Sequence, residues 1–277
     1  MFAVSHCLSA PLLDLAKAEL DGVNFSGTSS SGKSTAGQFI GASLFGDPEK
    51  YAIKWWMTAN AIEGACALYN DLPLIVDELG QATPSEIGEL IYHVAGGVGK
   101  QRLDVQSVLK RSSRFRNKLL STGEVTVAER MRDAGKTMKA GQEIRMVDIP
   151  VSGTYGLFEK LYGHKSARQF ADVLRKNTYR YYGTVGREFI SHIAENWGAV
   201  KSNLDSKLPI YSRYLEKGVS DMTPTDPENR VVNRWALAVF AGELASELGL
   251  TGWKRNEAKE SVLSALRSWL KANSGGA

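Results

Sequence analysis

Gly27-Thr28-Ser29-Ser30-Ser31-Gly32-Lys33-Ser34-Thr35 decides how the rest of the chain is read, because Gly27 to Ser34 fits Gly-x4-Gly-Lys-Ser/Thr at every position. In such a loop the glycines let the backbone curl until its N–H groups converge on phosphate oxygens. The helix that follows adds the positive end of its dipole. Lys33 is expected to reach the β- and γ-phosphates and Ser34 to offer its hydroxyl to Mg²⁺. All nine residues form the expected nucleotide-binding set, with ATP and Mg²⁺ as ligands; the base contacts lie outside the loop, so ATP is not separated from GTP. The flanks agree. Val23–Phe25 reads as a short strand, and Phe39, Ile40 and Leu44 share one side of a following helix.

A second stretch, Leu74-Ile75-Val76-Asp77-Glu78, is an apolar strand ending in two acids. Asp77 is expected to hold Mg²⁺, and Glu78 to polarise an attacking water. An enzyme that phosphorylates a small acceptor must keep water out, so the acid pair favours hydrolysis. The strand Phe115–Ser121 runs into Ser121-Thr122-Gly123-Glu124. A polar side chain at that tip would lie between the acids and the γ-phosphate, with Thr122 the first choice and Ser121 the second. Arg145, just ahead of the strand Met146–Val151, is the leading candidate for an arginine that stabilises charge on a neighbouring subunit's phosphate. Arg130 and Arg132 are its rivals, and a surface salt bridge is the competing role for each.

Strands separated by helices over residues 1–151 predict an α/β parallel-sheet core of the P-loop type. Pro11 to Leu20 reads as a helix, Lys54–Met57 as a strand and Ala59–Leu68 as a helix. Another helix is expected to open at Thr83-Pro84. Residues 152–277 read as a mostly helical C-terminal region, with helical spacing over 154–196 and 229–272 and a loop at Ser220–Glu228.

The chain has 277 residues, 43% hydrophobic and 23% charged, which excludes a disordered or fibrous protein. Cys7 and Cys66 form no metal or disulfide pattern and fit a reducing cytoplasm. The four histidines are scattered, and no apolar run suggests a membrane span. Net charge is +4, yet Lys100 to Lys118 carries seven basic residues against Asp104 alone. Such a window suggests a polyanion contact, with Lys100, Arg102, Lys110 and Arg111 as the candidate DNA-binding residues. Phe115 is its single aromatic residue, so base stacking is not expected there. Trp55-Trp56 could stack on bases if exposed, but core or interface is the favoured reading.

Together Gly27–Thr35, Asn70–Gln81, Gly97–Arg102, Leu120–Glu124 and Gly141–Pro150 resemble signatures of the domain-of-unknown-function 927 family, the ATPases of Cch-like helicases on phages, plasmids and other mobile elements. The similarity extends through Arg230–Glu243 and Thr251–Trp253. It implies an AAA+-like ATPase core, a homo-oligomeric ring on DNA and a hairpin within Lys100–Lys118 that touches the strand. Longer family members carry primase-like segments upstream. The resemblance thus implies that this chain, with 26 residues ahead of Gly27, is a fragment, a split version or a shortened homologue, served by an upstream primase or loading partner. The resulting expectation is a Mg²⁺-dependent, DNA-coupled ATPase of the helicase or translocase type, acting in replication of a mobile element on single-stranded DNA. The alternatives are a non-motor ATPase used as a nucleotide switch, and a phosphotransferase.

Overall fold

The computed structural model describes residues 1–103, 109 and 111–274. Its centre is a five-stranded sheet of β1 (Asp21–Ser26), β2 (Ile53–Lys54), β3 (Leu72–Asp77), β4 (Asn117–Gly123) and β5 (Met146–Pro150), in the order β2-β3-β4-β1-β5. Every pairing is parallel. The residues explain this. Leu74, Ile75, Val76, Leu119 and Leu120 are buried, as strands covered on both faces require. In a parallel sheet all C-terminal ends lie along one edge, so Ser26, Asp77 and Gly123 end close together.

Local chemistry sets several boundaries. The helix Ala59–Leu68 begins where Thr58 caps the Ala61 N–H. The helix Ile87–Gly96 stops at Gly97, whose φ of 66° suits glycine. It starts later than Thr83-Pro84 suggested, because Pro84 to Glu86 close a turn on the Thr83 carbonyl instead. The expected helix from Pro11 to Leu20 is not formed as one piece. The chain makes a helix at Phe2–Leu8, a 3-10 turn at Ala10–Leu12 and a short helix at Leu13–Ala16, which ends where Lys17 turns left-handed at φ 49°. The expected strand Lys54–Met57 shrinks to Ile53–Lys54, since Met57 N–H turns back onto the Trp55 carbonyl at 2.8 Å.

Beyond β5 the structure is helical at Ala167–Arg180, Thr184–Glu195, Trp197–Gly218, Asp226–Glu247 and Glu257–Ser274, while 154–166 is irregular. The helix Trp197–Gly218 falls outside the two segments read from spacing. Asp226–Glu247 is buried on nearly every side, including Val232, Trp235, Val239 and Phe240. It packs on Phe2–Leu8, with the Phe2 and Trp235 rings 4.6 Å apart. One hydrophobic cluster therefore joins Phe2, Leu8, Val23 and Ile149 to Trp235, Phe240 and Trp269, across position 151. A second cluster, with Trp55, Ile62, Leu74, Ile91, Phe115 and Leu119, covers the other face. Each large side chain so buried contributes about 1.5–3 kcal/mol.

Candidate nucleotide site

Gly27 leaves β1 at φ 153° and Gly32 sits at φ 85°, conformations that disfavour any residue with a Cβ. Between them the loop closes on the Lys33 ammonium. Lys33 is buried, and its Nζ donates to Gly27 O at 2.9 Å, Thr28 O at 2.7 Å and Ser31 Oγ at 3.1 Å. Burial lowers its pKa, opposed by the nearby carboxylates of Glu124, Glu78 and Asp77. Thr28, Ser29 and Ser30 are exposed at the loop's crest, and Ser34 and Thr35 open the helix behind it.

The segment after β5 lies against this loop. Leu157 N–H donates to Ser31 O at 2.8 Å. A Cβ at Gly156 would run into that same carbonyl, and one at Gly32 would come within 2.9 Å of the Phe158 ring. Nothing in the spacing of residues 152–158 signalled this contact.

The strand tips carry the acids. Asp77 is buried, and its Oδ1 faces both the Ser34 hydroxyl, 3.3 Å away, and the Thr122 hydroxyl, which donates to it. Its Oδ2 accepts from Lys54 Nζ at 3.0 Å. Lys54 was not foreseen; a lone lysine at a strand end carries no motif. Trp55 takes the core position favoured for it. Its buried indole donates to Ser121 Oγ at 2.8 Å, so Ser121 faces Trp55 while Thr122 faces Asp77. Alternation along β4 separates the two hydroxyls. Glu78 is half-buried at φ 68°, an uncommon conformation for glutamate. The turn that follows it is pressed by β4: a Cβ at Gly123 would meet Leu79 Cβ at 2.8 Å.

Three expected residues lie elsewhere. Arg145 precedes β5 at the opposite edge of the sheet, over the Tyr92 ring at 5.3 Å, with Nη1 donating to Gly141 O at 2.7 Å. Arg130 Nε donates to Ala82 O at 2.8 Å and Nη1 to Asp133 at 2.9 Å, whereas Arg132 is exposed.

Along the described part of the basic segment, antiparallel bridges pair Val98 with Arg114 and Leu103 with Leu109. Its base is clamped to the helix Ala59–Leu68: Arg102 donates to both Glu63 oxygens, at 2.9 and 2.7 Å, and to Asn60 Oδ1 at 2.8 Å. Lys100 Nζ is 4.0 Å from Glu89. Arg111 is exposed and lines, with His93, Lys100 and Arg114, a groove of about 820 Å³. Lys110 lies outside the described residues.

A parallel β2-β3-β4-β1-β5 sheet, with the glycine loop leaving β1 and the acid-tipped β3 one strand away from it, defines the α/β P-loop nucleoside-triphosphatase fold. The model of a family described as "Domain of unknown function (DUF927)", the family that the motifs resemble, matches residues 1–114. Among solved structures the chain is similar to "SCCmec type IV Cch - active helicase", with a TM-score of 0.72 and 18% identity over 99% of this chain and 46% of that one. The likeness is one of fold, and this chain spans a little under half of that protein's length. A more distant match, at TM-score 0.32 and 11% identity over 93% of this chain and 66% of that one, is NtrX from Brucella abortus in complex with ATP; it carries no argument. No curated protein matches this chain. Among the described residues, no helix is long and apolar enough to cross a membrane.

Proposed function

We propose that this chain is a Mg²⁺-dependent ATPase of the helicase or translocase type, coupled to single-stranded DNA and working as a ring in the replication of a mobile element. The observation that carries the reading is the convergence of Ser34 and Thr122 on one oxygen of Asp77, beside a loop wrapped around Lys33. A hydroxyl and a carboxylate suit a hard cation that takes its remaining oxygens from phosphate and water. Ser34 and Asp77 would hold that Mg²⁺, which supplies charge neutralisation at the phosphates. Lys33 would bind the phosphate chain, and Thr122 would orient Asp77. Glu78 would take the proton of the attacking water.

Arg145, on the far edge of the sheet from the loop, could serve only the nucleotide of another subunit. The helicase to which the fold is similar supports the DNA assignment, as does the concentration of basic residues in Lys100–Lys118. One observation favours the nucleotide-switch alternative: the Arg102 guanidinium is already engaged by Glu63 and Asn60.

Steady-state ATP hydrolysis with and without single-stranded DNA, for the wild type, Lys33→Ala, Glu78→Gln and the double variant Lys100→Ala/Arg102→Ala, tests the proposal. Stimulation by DNA that the double variant loses supports a DNA-coupled motor. Hydrolysis that needs Lys33 and Glu78 but ignores DNA supports the switch.

A further inference from the structure

Trp55 and Trp56 are neighbours in sequence with opposite fates. Trp55 is 2% exposed and Trp56 is 86% exposed. A free-standing indole leaves a large apolar face in water, open to stacking by a ligand. The side chain is not on a loose loop. Just before it, Lys54 reaches the Asp77 carboxylate at 3.0 Å, Trp55 N–H donates to Asp77 O at 3.1 Å, and the Trp55 indole holds Ser121. Just after it, Thr58 caps the helix whose second residue, Asn60, and whose Glu63 grip Arg102. Trp56 thus stands in the chain between residues hydrogen-bonded to the Asp77 end of the sheet, Lys54 and Trp55, and residues hydrogen-bonded to the base of the basic segment, Asn60 and Glu63.

The two surfaces are complementary in what they lack. The basic segment offers cations for phosphates, but its one aromatic residue, Phe115, is buried. Trp56 offers an exposed ring face. A single-stranded nucleic acid needs both, a cationic track for its backbone and an aromatic plane for a base. Resting on the DNA-coupled reading above, we propose that Trp56 is the base-stacking residue of a single-strand binding surface whose backbone contacts come from the basic segment, and that the Lys54–Trp55 tie links that surface to Asp77.

The test is binding of a fluorescent oligo(dT) and of an abasic oligonucleotide of the same length, by anisotropy at low salt. Wild type, Trp56→Ala and Trp56→Phe are compared, with melting curves to establish folding and sedimentation to establish oligomeric state. The expected result is that Trp56→Ala weakens oligo(dT) binding about tenfold or more and leaves abasic binding unchanged, while Trp56→Phe restores most of the loss. Equal affinity of Trp56→Ala and wild type for oligo(dT) would overturn the inference and leave the DNA-coupled reading standing. Equal loss on both oligonucleotides, with a smaller assembly in sedimentation, would overturn it in favour of a contact between copies. No binding of either oligonucleotide by wild type would remove the DNA-coupled reading itself, and the inference with it.

Discussion

The Thr122 hydroxyl, at the tip of β4, donates a hydrogen bond to Oδ1 of Asp77, at the tip of β3. Two neighbouring strands are thereby locked at the edge where the glycine loop Gly27–Thr35 emerges. The same oxygen faces Ser34, so the direction of the carboxylate depends on both hydroxyls.

Replacing Thr122 with Val keeps the volume and removes the donor. The expected outcome is a fall in kcat on the order of 100-fold with nucleotide Kd little changed, since the group positions a carboxylate rather than holding the phosphate chain. Thr122→Ser should recover part of the rate. A kcat equal to wild type in steady-state assays would remove Thr122 from the site.

Gly156 sits at φ 66° against the Ser31 carbonyl, and a Cβ there has nowhere to go. Gly156→Ala should lift the 153–158 turn off the loop, costing roughly 1–3 kcal/mol of stability. It should also weaken ATP binding in isothermal titration. Unchanged affinity would show that the turn is packed on the loop without shaping it.

A buried ion pair stands at the opposite end of the sheet. Lys118 Nζ donates to Asp21 Oδ1, and both side chains are fully buried. Burial alone would raise the Asp21 carboxyl, but Lys118, His6 and Arg234 hold it at about 2. Breaking the pair by Asp21→Asn leaves an uncompensated ammonium and should cost about 3–5 kcal/mol in urea denaturation. The double variant Asp21→Asn/Lys118→Met should be more stable than Asp21→Asn alone, because the stranded charge is gone. A double variant less stable than the single one would contradict this.

Asp148 on β5 supplies a pH dependence. Burial pushes its carboxyl up to about 7; the donors Asn24 and Val127 N–H pull it down, and Glu129 and Glu143 push it up. The unfolded chain titrates it near 3.8, so between those values the native state holds the extra proton. Its contribution to stability is present at pH 4, declines as pH rises towards 7 and is constant above. Asp148→Asn should remove that slope: relative to wild type, the variant gains stability from pH 4 to 7 and no more beyond. Urea midpoints at pH 5, 6, 7 and 8 measure this, and a difference that does not change with pH would refute the assignment.

Much of the sheet was legible in the residues. Leu74-Ile75-Val76 and Leu119-Leu120 are apolar runs too short for helices and bounded by polar turns, and Ala59–Leu68 reads as helical and is a helix. The N-terminal region was not legible. Residues 1–20 carry apolar side chains throughout, and Phe2–Leu8 is helical in the company of Trp235 and its neighbours, more than 200 positions away. The helix Trp197–Gly218 was hidden by its polar composition and by Pro209 inside it.

The sequence by itself determined the glycine loop at Gly27–Thr35, the paired acids Asp77 and Glu78 at a strand end, and most of the alternation of strands and helices between Asp21 and Pro150. Each depends on residue types at fixed short spacing, where backbone geometry leaves few choices. Only the tertiary structure decided that Thr122 rather than Ser121 meets Asp77, that Lys54 shares that carboxylate, that Gly156 and Phe158 close on the loop, and that Trp55 is buried while Trp56 stands in water. Those are choices of partner between segments far apart in the chain. They are settled by which faces the packed sheet and helices bring together, and no local pattern encodes them.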